Sequence, residues 1–216
     1  MVDKLPSYLV LNAGKSDFEE HPELIFPTAS SSKTSLDLYH FPNFENIRWR
    51  HQQGMHSFWS QDFLSAVKNA TQVIQIIDSY FLLDDLKESS EKSIDRLLEL
   101  MCETQVLKLE ILTSTRALPK DVMDDLKGLA SEIRNERQQI NSTFDFEVKL
   151  LTRKSSAIVP HDRFAIIDEE LWHCGASIGG LHKQLNVMSC GWSAEKRRAK
   201  QYFRELWELA EPWEVQ

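Results

Sequence analysis

His161 and Arg163 stand two residues apart in a stretch rich in β-prone side chains. Side chains alternate along an extended segment, so an imidazole and a permanently charged guanidinium share one face. That pairing suits an anion: the guanidinium is a planar fork that matches phosphate, and the imidazole can act as nucleophile or move a proton. Downstream, Gly175, Ser177, Gly179 and Gly180 make a small-residue loop. Loops of this composition let backbone N–H groups approach an anion closely. Asp168 lies between the two features, at the start of a turn that runs Asp168, Glu169, Glu170.

Elements must place these residues. Phe164, Ile166 and Ile167 give the run after Arg163 the content of a buried strand, and Leu171 to Cys174 begins a second one. Upstream, 60–70 reads as a helix capped by Ser60, with Phe63, Ala66, Val67 and Ala70 at helical spacing. Val73 to Ile77 is a continuous apolar run, as a central strand buried on both faces requires. A helix is expected over 84–103, a strand over 106–112, and a helix after Pro119 with Val122, Leu126, Leu129 and Ile133 inward. A strand over 144–150 and a last helix over about 193–210 complete the series. Strands alternating with helices of this length predict an α/β fold with a mainly parallel central sheet covered by helices on both faces. In such sheets functional groups gather at the carboxyl ends of strands. Asp78, Tyr80, Thr115 and Arg116 lie at such ends, and Asn186 follows the small-residue loop. Asp78, Thr115, Arg116, Gly175 and Asn186 are therefore candidate substrate-binding residues.

The chain has 216 residues, enough for one sizeable domain over 57–216 with residues 1–56 packed on it as an extension. In that extension, 8–11 and 24–27 read as short strands and Ala29 to Lys33 as a polar loop. A net charge of −8 argues against a surface that attracts nucleic acid as a whole, though a local cleft needs only a few cations. Arg48, Trp49, Arg50 and the Lys196, Arg197, Arg198, Lys200 run could line such a cleft, or could be ordinary loop and solvated helix face. The three cysteines, Cys102, Cys174 and Cys190, are spaced like neither a zinc site nor a disulfide framework. No metal or cofactor is suggested. No apolar run has membrane-spanning length and the first residues do not read as a signal peptide, so the expected compartment is the cytoplasm. There is no Walker-type loop, GxGxxG or GxSxG, which leaves nucleotide-binding and lipase readings without support.

The spacing His161, one residue, Arg163, four residues, Asp168, six residues, Gly175, with Ser177 two further on, resembles the signature of the phospholipase D superfamily. Arg163 stands where most members carry Lys, and Ala176 where many carry Ser. The resemblance is specific over 158–189 and general over 58–157, and the chain holds one copy of the signature. It implies an α/β sandwich and a metal-independent phosphodiesterase. His161 would attack phosphorus and form a phospho-histidine. Arg163 and the loop around Ser177 would hold the non-bridging oxygens, and Asp168 would orient a histidine or brace the loop. The chemistry needs a second histidine. His173 and His182 are local candidates, and the family's single-copy members instead dimerise across a twofold axis, which makes a homodimer the expected state. Compact members of this kind resemble bacterial nucleases of anti-phage defence, alone or beside an ATPase partner. Two classes of function stay open: a nuclease, and a degenerate module that binds nucleic acid, a phospholipid head group or a protein.

Overall fold

In the computed structural model the described residues are 18–25, 61–81, 104–114, 143–151, 161–178 and 187–212, with isolated positions 48, 52, 131, 135 and 139. They form β1 (Glu23–Ile25), α1 (Gln61–Asn69), β2 (Val73–Ile77), β3 (Lys108–Ser114), β4 (Asp145–Leu151), β5 (Arg163–Ile167), β6 (Glu170–Cys174), β7 (Met188–Ser193), α2 (Ala199–Leu209) and the two-residue β8 (Glu211–Pro212). The strands make one sheet in the order β1-β7-β6-β5-β2-β3-β4-β8.

The sheet is mixed, where the sequence pattern predicts a mainly parallel one. Only β2–β3 and β3–β4 run parallel, and the other five pairs are antiparallel. Connection length explains the division. About thirty residues separate β2 from β3 and β3 from β4, which suffices for the crossover a parallel pair needs. β5 and β6 are joined by the two-residue turn Asp168–Glu169, and so short a link allows only an antiparallel hairpin. Asp168 takes the left-handed conformation there, with φ 53°, which aspartate tolerates better than most side chains.

Strand alternation divides the core in two. Ile74, Ile76, Leu109, Ile111, Phe146, Val148, Ala165, Ile167, Trp172 and Cys174 belong to one cluster, with Phe63 and Val67 of α1. Ile77, Leu112, Leu151 and Ile166 belong to the other, with Phe203 and Leu206 of α2. Phe63 meets Trp172 edge to face at 5.4 Å. This geometry adds about 1 kcal/mol to the area the two rings bury. The expected helices over 84–103 and after Pro119, and the strand at 8–11, lie outside the described residues.

Two elements start two or more residues later than expected. β3 begins at Lys108 rather than 106, because the N–H groups of Leu107 and Lys108 both donate to Gln72 O and the ladder with β2 starts only there. α2 begins at Ala199 rather than near 193. The chain leaves β7 through tight turns, in which Arg197 N donates to Ser193 O and Ala199 N to Ala194 O, with Arg198 at φ 59°.

The segment before β1 is strapped to β7 and the turns that follow it. His21 N donates to Gly191 O at 3.0 Å, and a Cβ on Gly191 (φ 82°) would fall 1.9 Å from His21 O, so only glycine fits. The Glu20 carboxylate accepts from Ser193 N at 2.9 Å and from both Nε and a terminal nitrogen of Arg197 at 3.1 and 2.8 Å. Those bonds hold its carboxyl below the ordinary value. Lys196 Nζ donates to Phe18 O at 2.9 Å, Lys200 pairs with Glu169, and the Arg197 guanidinium lies 4.9 Å from the Trp192 ring. The basic run at 196–200 is exposed at Lys196, Arg197 and Arg198, as a solvated face would be, and from that surface it also fastens the segment before β1. Arg48 is helical and exposed.

Candidate functional site

The site begins with register. Ile77 of β2 pairs with Leu112 of β3 and with Phe164 of β5. One residue further along, the same ladders set Asp78 beside Thr113 and beside Arg163. Arg163 itself pairs with Cys174, and Thr113 with Leu150. Leu150, Thr113, Asp78, Arg163 and Cys174 thus form one row across five neighbouring strands, each about 4.8 Å from the next. The row lies on the α1 face of the sheet, at the carboxyl ends of the parallel strands. Functional groups are expected at that edge.

Asp78 is the centre of the row and is fully buried. One carboxylate oxygen accepts from Tyr80 N at 2.9 Å. The other accepts from Ser177 Oγ at 2.7 Å and from Ile178 N at 2.6 Å. Arg163 Nε lies 3.9 Å from the first oxygen, at ion-pair range but beyond hydrogen-bond range. Burial pushes the Asp78 carboxyl up, against the opposing pull of Ser177, Tyr80, Ile178 and the Arg163 charge. Arg163 keeps 15% exposure of its side chain and sits 5.1 Å from the Tyr80 ring centre, a cation–π contact.

Two buried side-chain atoms have no hydrogen-bond partner among the described residues: Arg163 Nε and Thr113 Oγ1. Both belong to this row. An unsatisfied buried donor or acceptor costs about 1 to 3 kcal/mol, and two of them at one strand end single out this row. Cys174 is also in the row. Burial, reinforced by the Asp78 charge, pushes its thiol up, so it stays a neutral thiol. Cys174 and Cys190 are both buried, and neither is in a disulfide.

His161 lies two residues before Arg163 and is exposed, at the same end of β5. Gly175 N donates to Val187 O at 3.0 Å, which anchors the start of the loop carrying Ser177. Ser177 is buried, and its hydroxyl is engaged with Asp78.

Asp168 is placed elsewhere. It follows β5 at the end opposite Arg163, roughly 17 Å of extended chain away. Its carboxylate accepts from Thr71 N (3.0 Å), Thr71 Oγ1 (3.2 Å), Gln72 N (2.8 Å) and Val73 N (3.0 Å). Burial acts upward on this carboxyl, but the donors from Thr71, Val73 and Gln72 outweigh it and hold it below its ordinary value. Its hydrogen bonds reach neither a histidine nor the loop around Ser177, the two roles expected of it; they tie the β5–β6 turn to the entry of β2 instead. His173 pairs with Phe164 and lies against its ring at 5.2 Å, on the face opposite Arg163. Its Nε2 is 3.9 Å from an oxygen of the exposed Asp162. Thr115, Arg116, His182 and Asn186 lie outside the described residues.

The structure therefore brings together Asp78, Arg163, Ser177 and Tyr80, with His161 at the same end of the sheet. Thr113 and Cys174 join them without having been singled out from the sequence. Thr113 sits inside an apolar strand run, and only the register of β3 against β2 reveals it. Among the described residues there is no group of three or more His, Cys, Asp or Glu side chains that could hold a metal ion. Nor is any described helix long and apolar enough to cross a membrane.

No family model and no curated protein matches the sequence. Solved structures do align with it. TrmBL2, an archaeal chromatin protein described with a novel mode of DNA binding, aligns at 17% identity and TM-score 0.41, over 69% of this chain and 48% of that one. NucT from Helicobacter pylori aligns at 10% identity and TM-score 0.48, over 90% of this chain and 99% of that one. Phosphatidylserine synthase from Haemophilus influenzae aligns at 12% identity and TM-score 0.42, over 65% of this chain and 32% of that one. The chain thus spans about half of TrmBL2, nearly all of NucT and about a third of the synthase. Superpositions at this level leave the chemistry to the chain's own residues.

Proposed function

We propose that the chain is a phosphodiesterase of the phospholipase D type, acting on nucleic acid as a homodimer without a metal ion. The observation that carries the reading is the row at the strand ends. Arg163, the cation of the signature, lies with the Ser177 loop at one end of the sheet, and His161 is exposed at that same end. A phosphodiester there would meet a guanidinium, with the loop around Ser177 beside it. His161 would displace one alkoxide from phosphorus, forming an N–P bond as the P–O bond breaks. A second acid would protonate the leaving oxygen, and water would then hydrolyse the phospho-histidine. His173 faces away from Arg163 and His182 lies outside the described residues; this reading assigns the second acid to His161 of another copy across a twofold axis. The chemistry fits any phosphodiester, and nucleic acid is the substrate class this reading commits to. Cytoplasmic location, a role in anti-phage defence and an ATPase partner belong to the same reading by analogy alone.

One observation favours a second reading, a binding module without turnover. Arg163 shares its charge with the buried Asp78, which lowers the positive potential offered to a phosphate.

The test is cleavage of labelled single-stranded DNA, duplex DNA and RNA in excess EDTA by wild type and His161→Ala. Cleavage that survives EDTA and is lost in the variant supports the histidine mechanism and identifies the substrate. Equal cleavage by both removes His161 from the mechanism. Binding by both proteins without cleavage favours the module. Light scattering gives the oligomeric state, and a monomer that cleaves would overturn the shared site.

A further inference from the structure

Asp78 falls outside the signature, yet it is the residue on which the signature's cation and loop both depend. We infer that Asp78 is a positioning residue: a buried carboxylate that fixes the direction of the Arg163 guanidinium and the seat of the 175–178 loop together, without touching the ligand. The inference rests on the reading that Arg163 faces an anionic ligand.

Three features support it. Both Asp78 oxygens face donors: Tyr80 N and the Arg163 guanidinium on one, Ser177 Oγ and Ile178 N on the other. An amide at this position would have to turn its own NH2 toward one of those sets, so only a carboxylate satisfies both. Second, Arg163 is held by charge rather than by a bidentate clasp. The 3.9 Å separation and the Tyr80 ring at 5.1 Å restrict the guanidinium. A fork-to-fork pair with Asp78 would have occupied the donors a phosphate needs. Arg163 Nε keeps its proton uncommitted among the described residues. Third, no other group in the row can replace the charge. Cys174 stays protonated, and Thr113 is neutral.

The test uses the full-length protein, with 15N spectra of arginine Nε–H groups and titration with inorganic phosphate. The Arg163 signal is assigned by its disappearance in Arg163→Lys. With Asp78→Asn, the Arg163 Nε–H resonance is expected to move and to exchange with solvent at least about tenfold faster. Phosphate affinity should fall about tenfold, measured well below the variant's melting temperature so that lost stability does not enter. Asp78→Glu, which restores the charge, should recover part of the affinity. If folded Asp78→Asn binds phosphate as wild type does and leaves the Nε–H resonance unmoved, the inference fails. Should Asp78→Asn not fold, Ser177→Ala removes a single donor and must shift the same resonance and weaken phosphate about threefold. No shift there overturns the inference. A wild type that binds no phosphate, while its Arg163 resonance still responds to Asp78→Asn, keeps the positioning role and removes the phosphodiesterase reading instead.

Discussion

β2 and β5 lie side by side, and each end of the pair is closed by an aspartate. At one end Asp168 collects four donors from Thr71, Gln72 and Val73 and remains partly exposed. At the other, Asp78 collects three hydrogen bonds and an ion pair but is completely buried. Hydrogen bonding wins at the first end and the carboxyl is held down. Burial wins at the second and the carboxyl is pushed up. The difference separates a fastening from a site. A fastening keeps its charged form cheaply, with water near, whereas a site keeps a charge where water has been removed.

The two aspartates should break apart under mutation. Asp78→Ala is expected to cost about 3 kcal/mol or more in denaturant unfolding, because Arg163 loses its counter-charge and the loop loses its acceptor. Asp168→Asn keeps the residue type suited to φ 53° and removes only the charge, so about 1 to 2 kcal/mol is expected. An Asp168 loss that exceeds the Asp78 loss would reverse the assignment of fastening and site.

Acid should sharpen the contrast. The folded pKa of Asp168 lies below its unfolded value, so its stabilisation is present above the unfolded pKa and is lost as pH falls through the folded one. Asp78 has the opposite sign: the folded state holds its proton longer, and stability declines as pH rises from the unfolded to the folded pKa. Denaturant midpoints from about pH 3 to pH 7 should therefore rise less steeply with pH in Asp168→Asn than in wild type. They should rise more steeply in Asp78→Asn or Asp78→Ala, whichever folds, since neither side chain titrates. Ser177→Ala, which strips one donor from Asp78, should cost about 1 kcal/mol. Arg197→Ala, on the exposed strap, should cost less than about 1 kcal/mol and fade with added salt.

The elements with strong period were legible. α1 and β2 fall where Phe63, Val67 and the Val73–Ile77 run place them, and the β5–β6 hairpin turns at Asp168 as expected. Strand direction was not legible, since an apolar run reads the same whether its neighbour is parallel or not. The site was half legible for the same reason. Asp78 could be suspected as a strand-end residue, but its contact with Arg163 depends on β5 lying antiparallel to β2, and Thr113 on a register no local pattern reveals. Asp168 shows the converse. Its offset from His161 is fixed in the sequence, yet five strand residues carry it to the far side of the sheet. The basic run at 196–200 reads as solvated and is exposed, but its pairings were not legible, because its partners Phe18 and Glu20 are 178 and 177 positions away.

β1 is three residues long, yet β6 occupies one side of β7 and β1 covers the other. Pairing Glu23 with Cys190 and Ile25 with Met188 seals an edge whose inward side chains are apolar. Were the strap of Glu20, His21 and Gly191 released, a six-residue strand would present open N–H and C=O groups beside exposed apolar surface, a template for copies of the same strand. Breaking the bonds at Glu20 is therefore expected to show less in folding energy than in colloidal behaviour, as edge-to-edge association in concentrated solution.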